Sequence, residues 1–456
     1  MDVEVYQNGA VGAEVRQVQA LVAVTARGTE GAAVPDAAEV LLIDCSSSMR
    51  HPPTKIAAAR KAAAAAISVL PDGTRFAVVR GTDHAEGVYP RERRLAVASA
   101  DTRREATAAV ERLTAGGGTA MGTWLARARD LFDTAPAGLN HVLLLTDGRN
   151  QSQSREALLR VLDTCEGRFS GDARGIGDGW EPAELTEIVR VLRGGVDSVV
   201  RDEDLADDFR ALVRAALAKV IPDVRLRIGT MAYSSLRWVK QTVPNEYDLT
   251  GRCVPDGDRE VVLSTGSWAA AEKREFQLAV DLADGFEPSF DRPRQLAWVE
   301  VEGGPQKPVL GRWTHDPVPP TLVHPKLLRS TIRTELGTLL ADADEAHAVG
   351  DVATALRYWG RVARLATETG DHDVLRRLRG VVVIVDAAAE SVRPRPEATR
   401  SQLLNLLLSR VTHVDGAVVA VPLGEPRECA KCGAMSLPGA RFCEACGHPI
   451  GDGAGS

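Results

Sequence analysis

The stretch VLLIDCSSS, residues 40–48, determines the fold of this chain. Its first four residues are all apolar, which is typical of a strand buried on both faces, whereas a strand with one solvated face alternates. This strand ends on a carboxylate, Asp44, and hydroxyl side chains follow at Ser46 and Ser48. A second apolar run, HVLLL at residues 141–145, has the same character. Two such runs predict the centre of a parallel sheet.

Helical patterns separate the apolar runs along residues 38–218. The pattern predicts a further strand at residues 76–79, and helices at residues 54–70, 102–113, 121–132, 155–164, 184–192 and 204–217. Strands that alternate with helices of this length form crossover units. The region therefore predicts an α/β domain with a mainly parallel sheet and helices on both faces.

The segments on either side of this domain return to an alternation with period two, which is typical of antiparallel strands. Such strands are predicted at residues 2–6, 12–25, 224–228, 259–263, 275–280 and 295–301. The N-terminal strands have no partner within the α/β domain. We therefore predict that residues 1–30 join residues 223–314 in a β-sandwich, with the α/β domain inserted between them.

Residues 325–411 are predicted to form a helical domain, in which residues 391–396 hold two prolines between helices. Within them, residues 346–370 resemble one helix hairpin of the tetratricopeptide type. Because a single repeat is too short for a solenoid, a small helical bundle is the preferred interpretation.

Composition argues against several classes of partner. The formal net charge is -7, whereas general affinity for nucleic acid or for anionic membranes needs basic patches. No apolar run approaches the roughly 18–20 residues that span a bilayer. The start of the sequence lacks the pattern of a signal peptide, so we expect a cytoplasmic location.

Three separated segments carry oxygen-bearing side chains that are expected to meet. The run at residues 44–48 is followed by Thr119, directly after three glycines, and by Asp147, directly after the second buried strand and Thr146. Loops at the carboxyl ends of strands converge on one crevice in a doubly wound sheet. Carboxylates and hydroxyls without nitrogen or sulfur favour Mg²⁺, with Mn²⁺ as a substitute and Ca²⁺ less suited. The predicted ligand set is Asp44, Ser46, Ser48, Thr119 and Asp147.

Some of these residues also fit simpler roles. A Ser-rich turn after a strand commonly only caps the next helix, but three elements in the expected order make coincidence improbable. Gly122 and Thr123 repeat the Gly-Thr pattern after Thr119. Thr123 falls on the predicted helix, so Thr119 is preferred. His51 and Cys45 are interpreted as bystanders.

The order DxSxS, then Thr after a glycine run, then TDG resembles the metal-ion-dependent adhesion site of von Willebrand factor A (VWA) and integrin I domains. The resemblance covers less than half of the chain. It implies that Ser46, Ser48 and Thr119 coordinate the metal directly. It also implies that Asp44 and Asp147 act largely through water, and that a carboxylate of a partner protein fills the remaining position.

One segment departs from the family pattern. Residues 169–179, FSGDARGIGDG, are polar and rich in glycine where the family has a fifth, usually apolar, strand. Only residues 173–176 retain a pattern that can pair, so no strand boundary is predicted there.

Two CxxCG units near the C-terminus, with ten residues between the second cysteine of one and the first cysteine of the other, predict a zinc site. In each unit two thiolates face one ion, whereas a redox CxxC needs only one pair. The arrangement resembles a short zinc ribbon over residues 428–450, and its few basic residues favour a structural or protein-binding role over nucleic-acid binding. The predicted Zn²⁺ ligands are Cys429, Cys432, Cys443 and Cys446.

The predicted function is a protein-binding scaffold and not an enzyme. The chain has no GxSxG elbow, no P-loop and no HExxH motif. The chain also resembles bacterial cytosolic VWA proteins of the tellurium-resistance-associated group, which implies a stress or signalling assembly with a kinase, a phosphatase or an AAA+ ATPase. The alternative function is a Mg²⁺-dependent hydrolase or phosphotransferase that uses the same loops.

Overall fold

A computed structural model of the chain describes residues 1–27, 36–221, 223–315 and 324–410, and the backbone of two short strands near the C-terminus. The chain divides into two compact units, Met1–His413 and Val414–Ser456. None of the helices in the described residues is both long enough and apolar enough to span a bilayer.

The chain begins with strands that belong to a domain completed much later in the sequence. Val18, Ala20, Val22 and Val24 pack in one hydrophobic core at every second position, as the period of two predicts, although residues 13–16 are not part of a strand. The strands are β1 (Asp2–Gln7), β2 (Val11–Gly12) and β3 (Gln17–Thr25).

An α/β domain follows, and its sheet has the order β10-β9-β8-β4-β5-β6. All its pairs are parallel except those that β6 and β7 make with β5. The predicted α/β fold is therefore confirmed. The strands are β4 (Ala37–Asp44), β5 (Arg75–Gly81), β6 (Ala85–Tyr89), β7 (Ala96–Val97), β8 (Leu139–Thr146), β9 (Ser170–Ile176) and β10 (Val196–Val199). The helices are α1 (Thr54–Ser68), α2 (Ala100–Val110), α3 (Met121–Thr134), α4 (Arg155–Cys165), α5 (Pro182–Leu192) and α6 (Leu205–Leu217).

The two faces of this sheet explain the uninterrupted apolar run in β4. Val40 and Leu42 pack in the core on the side of α3, α4 and α5. Leu41 and Ile43 pack in the core on the side of α1, α2 and α6. Successive side chains of a strand point to opposite faces, so a strand covered on both sides needs an apolar residue at every position.

Two five-stranded sheets, β1-β3-β18-β13-β14 and β15-β16-β12-β19-β20, share one hydrophobic core and form the β-sandwich. β3 pairs with β18 along its whole length, so the N-terminal strands and the later segment are one domain. The sequence analysis missed β13, although it lies inside its sheet. The strands are β11 (Lys219–Ile221), β12 (Arg225–Thr230), β13 (Ser234–Val243), β14 (Tyr247–Asp248), β15 (Val254–Pro255), β16 (Glu260–Ser264), β17 (Trp268–Ala269), β18 (Lys273–Leu282), β19 (Arg294–Val301), β20 (Lys307–Gly311) and β21 (Trp313–Thr314).

The following segment is mainly helical, with α7 packed against α8. A β-hairpin of β22 and β23 interrupts the helices. β23 lies in the proline-containing break that the sequence predicts between helices, whereas β22 was not predicted. The run of β-branched residues at 381–385 has a high propensity for strands, which explains the exception. The elements are α7 (Pro325–Ala348), α8 (Val352–Thr369), α9 (His372–Val381), β22 (Val382–Asp386), β23 (Ser391–Pro394) and α10 (Arg400–Leu407).

The second unit contains one described pair of antiparallel strands, β24 (Arg427–Glu428) and β25 (Met435–Ser436). The four cysteines of the predicted zinc site, Cys429, Cys432, Cys443 and Cys446, lie outside the described residues.

Candidate metal centre

The five residues predicted to bind a metal come together at the carboxyl edge of the α/β sheet. β4 and β8 are parallel neighbours with Ile43 opposite Leu145, so the residues that follow both strands leave the sheet side by side. Asp44 is the last residue of β4 and Asp147 directly follows β8. Both carboxylates are fully buried.

Asp44 fixes the beginning of the serine-containing loop. One of its carboxylate oxygens accepts a hydrogen bond from the backbone N–H of Ser46 at 2.7 Å, and the other accepts one from the Thr146 hydroxyl at 2.6 Å. Burial raises the pKa of Asp44 to about 6, and these hydrogen bonds partly oppose the increase. The carboxylate therefore ties the two central strands and the loop together.

The two serine hydroxyls and the second carboxylate form a continuous chain of oxygens. Ser46 Oγ lies 2.9 Å from Ser48 Oγ, and the Ser48 hydroxyl donates to Asp147 Oδ1 at 2.6 Å. Ser46 is buried and Ser48 is exposed. The oxygen set is therefore open to solvent on the Ser48 side.

Thr119 reaches the same place from a third loop. A Cβ atom added to Gly148 would lie 3.4 Å from Ser48 Oγ and 3.5 Å from Thr119 Oγ1, so both hydroxyls surround the small space beside Gly148. Gly117 has a left-handed backbone, and its carbonyl accepts hydrogen bonds from both the N–H and the hydroxyl of Ser47. A side chain at Gly118 would collide with the hydroxyl of Ser152, which lies after β8. Gly117 thus lets this loop pack against the loop at residues 46–48, and Gly118 lets it pack against the segment that follows β8.

Thr123, Cys45 and His51 are close to these residues in the sequence but do not belong to the oxygen set. Thr123 lies in the first turn of α3 and donates its hydroxyl to the carbonyl of Ala120 at 2.8 Å. Cys45 is fully buried in the hydrophobic core between the sheet and α1, and His51 is exposed. In the described part of the chain, none of these three side chains is hydrogen-bonded to the two serines or the two carboxylates of the oxygen set.

The sequence analysis missed Lys55, which lies in the first turn of α1. Its ammonium donates to Asp147 Oδ2 at 2.9 Å, and only 9% of the side chain is exposed. A signal was present, because Lys55 shares the buried face of α1 with Ala58, Ala62 and Ala66. A lysine on an otherwise apolar helix face needs a buried counter-charge.

The charges of the site nearly balance without any bound ion. Two carboxylates, Asp44 and Asp147, and one ammonium, Lys55, leave a single negative charge when all three are ionised. Within the described residues there is no group of three or more His, Cys, Asp and Glu side chains that could hold a metal. This site has two carboxylates and three hydroxyls, and so differs in chemistry from such a group.

The comparisons with known proteins identify the family of the domain that carries these loops. A family model of the von Willebrand factor type A domain matches residues 38–197. The chain is similar to the solved structure of a von Willebrand factor type A protein from Catenulispora acidiphila, with 36% sequence identity and a TM-score of 0.80 over 91% of this chain and 96% of that chain. The chain belongs to the von Willebrand factor type A family.

A second solved structure resembles this chain in its fold, although its sequence is much less similar. The ArnB paralog VWA2 from Sulfolobus acidocaldarius has a TM-score of 0.53 and 10% identity, over 90% of this chain and 98% of that chain. The search of curated proteins gave no match. VWA domains are generally protein-interaction modules and not enzymes.

Replacement of Lys55 by Met should destabilise the protein. The variant leaves Asp147 buried without its counter-charge, and removal of one partner of a buried ion pair costs about 3–5 kcal/mol. Urea unfolding in the presence of a chelator measures the free energy of unfolding. Lys61→Met is the matched control, because Lys61 is exposed on the same helix. Equal losses in the two variants would contradict a stabilising role for the ion pair.

Proposed function

We propose that this VWA protein is a Mg²⁺-dependent scaffold that binds an acidic side chain of a partner protein at Asp44, Ser46, Ser48, Thr119 and Asp147. The observation that carries the proposal is the close approach of the Ser46 and Ser48 hydroxyls to each other and of Ser48 to Asp147, at 2.9 and 2.6 Å. The three loops that supply the oxygens are separated in the sequence but adjacent here.

The spacing of the oxygens supports Mg²⁺ or Mn²⁺ over Ca²⁺. Adjacent ligands of an octahedral ion with bonds of about 2.1 Å are about 3.0 Å apart, and the larger bonds of Ca²⁺ require about 3.3–3.7 Å. Ser46 Oγ and Ser48 Oγ are hydrogen-bonded at 2.9 Å, so both could bind the smaller ion without a change in their separation. In the adhesion sites that the chain resembles, the equivalents of Ser46, Ser48 and Thr119 bind the metal directly.

Charge and exposure support a carboxylate as the incoming ligand. Lys55 neutralises one of the two carboxylates, so the site with a divalent ion carries a net positive charge. Ser48 is exposed, whereas Ser46 and Thr119 are buried, so a partner can approach only from the Ser48 side of this set. A bound Mg²⁺ supplies an electrophilic point to which a protein carboxylate is attracted.

The cellular context is inferred from the resemblance to bacterial cytosolic VWA proteins of the tellurium-resistance-associated group. It suggests a cytoplasmic stress or signalling assembly whose partner is a kinase, a phosphatase or an AAA+ ATPase. The proposal includes the division of the chain into a β-sandwich (residues 1–30 and 223–314), a VWA domain (38–218), a helical domain (325–411) and a zinc ribbon (428–450). The β-sandwich and the helical segment then act as the frame that carries the binding loops.

We also propose that Cys429, Cys432, Cys443 and Cys446 bind Zn²⁺ in a ribbon over residues 428–450. The pairing of β24 with β25 supports this, because it joins the residues on the two sides of the first CxxC unit. A segment of this size has little apolar core, so its fold depends on the metal.

The first test measures metal binding directly. Wild-type protein should bind one equivalent of Mn²⁺ or Mg²⁺ in calorimetric titration, and Ser46→Ala/Ser48→Ala should weaken binding by more than about tenfold because two direct ligands are lost. Thr123→Ala is the matched control, because its hydroxyl is bonded to Ala120 instead. Unchanged affinity in the double serine variant would refute the assignment of the ligands.

The second test concerns the partner. Affinity capture from native lysate should recover a set of proteins in Mg²⁺ that is lost in chelator and with Ser46→Ala/Ser48→Ala, but kept with Thr123→Ala. The same set under all conditions would contradict the scaffold. Phosphoester turnover that requires Mg²⁺ and disappears in Asp44→Ala would instead favour a hydrolase or phosphotransferase.

The third test concerns zinc. Purified protein should contain one equivalent of Zn²⁺ by elemental analysis, and Cys429→Ser/Cys446→Ser should remove it, because each CxxC unit then loses a thiolate. Cys253→Ser is the control, since this free thiol lies in the β-sandwich region. Full zinc content in the double variant would rule out the ribbon.

A further inference from the structure

A second polar cavity lies at the opposite edge of the α/β sheet from the metal centre. Its volume is 240 Å³, and its walls come from the beginnings of β8 and β9, the end of α5, β11 and the sandwich loop at residues 265–267. The strand β8 runs from this cavity to the metal centre over eight residues, which corresponds to roughly 25 Å. The cavity is therefore a separate site, formed by the α/β domain and the β-sandwich together.

The charge of this cavity is one-sided. No Asp or Glu is present among the described residues that line it, and its basic side chains are Arg168, Arg193, Lys219 and Arg274. Arg168 is paired with Asp133, and Arg274 is paired with Glu272. Lys219 and Arg193 have no carboxylate within ion-pair distance in the described parts of the chain.

Lys219 is a partly buried ammonium that makes none of the hydrogen bonds found in the described residues. Burial lowers the pKa of Lys219. The charge of Asp172 opposes this decrease, Arg274 adds to it, and Glu272 and Glu39 oppose it from a greater distance than a direct ion pair. The Asp172 carboxylate is already engaged, because it accepts hydrogen bonds from His141 and from the backbone N–H of Gly195. The ammonium is thus available to a ligand in the cavity.

Arg193 reaches the cavity from a strained position. It ends α5 with a left-handed backbone, φ 56°, a conformation that is uncommon for residues other than glycine but usual at the C-terminal end of a helix. Its guanidinium donates to Ser264 Oγ at 2.9 Å. Arg274 holds the opposite wall, because it donates to the carbonyls of Thr265 and Ser267. Arg274 is therefore held by the wall of the cavity, whereas Arg193 keeps its Nε–H without a hydrogen-bond partner among the described residues.

We propose that this cavity binds the phosphate group of a small molecule, either inorganic phosphate or a small phosphate monoester, with Lys219 and Arg193 as the main charge partners. Two cations without carboxylate partners match a dianion better than a singly charged carboxylate. The volume is below the roughly 300–1,000 Å³ of pockets for drug-sized ligands, which favours a phosphate with a small substituent. Because the walls belong to two domains, the bound anion joins them.

Calorimetric titration of the full chain with inorganic phosphate tests the proposal, in chelator so that the metal centre plays no part. Saturable binding is expected, at least tenfold weaker in Lys219→Gln and in Arg193→Asn, because each removes one cation. Asn tolerates the left-handed backbone at position 193. Lys61→Gln, an exposed lysine of α1, is the control and should bind like wild type.

Glycerol 3-phosphate in a parallel titration distinguishes the two sources of the phosphate group: tighter binding than phosphate identifies a monoester, and equal or weaker binding identifies free phosphate. Acetate should bind at least tenfold more weakly than phosphate. The proposal is overturned if phosphate gives no saturable heat, if acetate competes equally, or if Lys219→Gln and Arg193→Asn, both folded by circular dichroism, retain full affinity.

Discussion

The hydrogen bond between the Thr146 hydroxyl and the Asp44 carboxylate is the contact on which the candidate metal centre depends. It joins the ends of the two central strands of the VWA sheet at 2.6 Å, in a place without solvent. A buried carboxylate is stable only when its oxygens are hydrogen-bonded. The remaining oxygen therefore takes the backbone N–H of Ser46, and this fixes where the serine loop begins. This hydrogen bond fixes the backbone at Ser46, and so determines where the Ser46 and Ser48 hydroxyls lie.

Lys55 gives the site its second constraint. The alanine-rich face of α1 packs against the sheet, and Lys55 reaches Asp147 from that face. The ammonium compensates a carboxylate that would otherwise be isolated in the core, so the ion pair stabilises the arrangement of the loops. It also removes one negative charge from the site. Under the proposed function, this lowers the attraction of the site for a cation and raises the attraction of a bound cation for a partner's carboxylate.

Local patterns predicted those parts of the structure whose causes are local. The apolar run of β4 needs cover on both faces, and Thr123 could be assigned to a helix and separated from Thr119 by position alone. The fifth strand shows the limit of this approach. In β9, Asp172 is bonded to His141, and Arg174 pairs with Asp208 of α6. These partners are distant in the sequence, so a polar segment could not be predicted as a buried strand from its own residues.

The arrangement of β3 has a consequence for the order in which the protein folds. One edge of β3 pairs with β1, but its other edge pairs with β18, which ends at Leu282. Domains fold as units while the chain is synthesised from its N-terminus. The VWA domain is synthesised completely before β18. Until β18 is synthesised, the edge of β3 that later pairs with it therefore has no partner strand. An open strand edge pairs readily with other chains, which makes this interval the time at which the nascent protein is most exposed to aggregation.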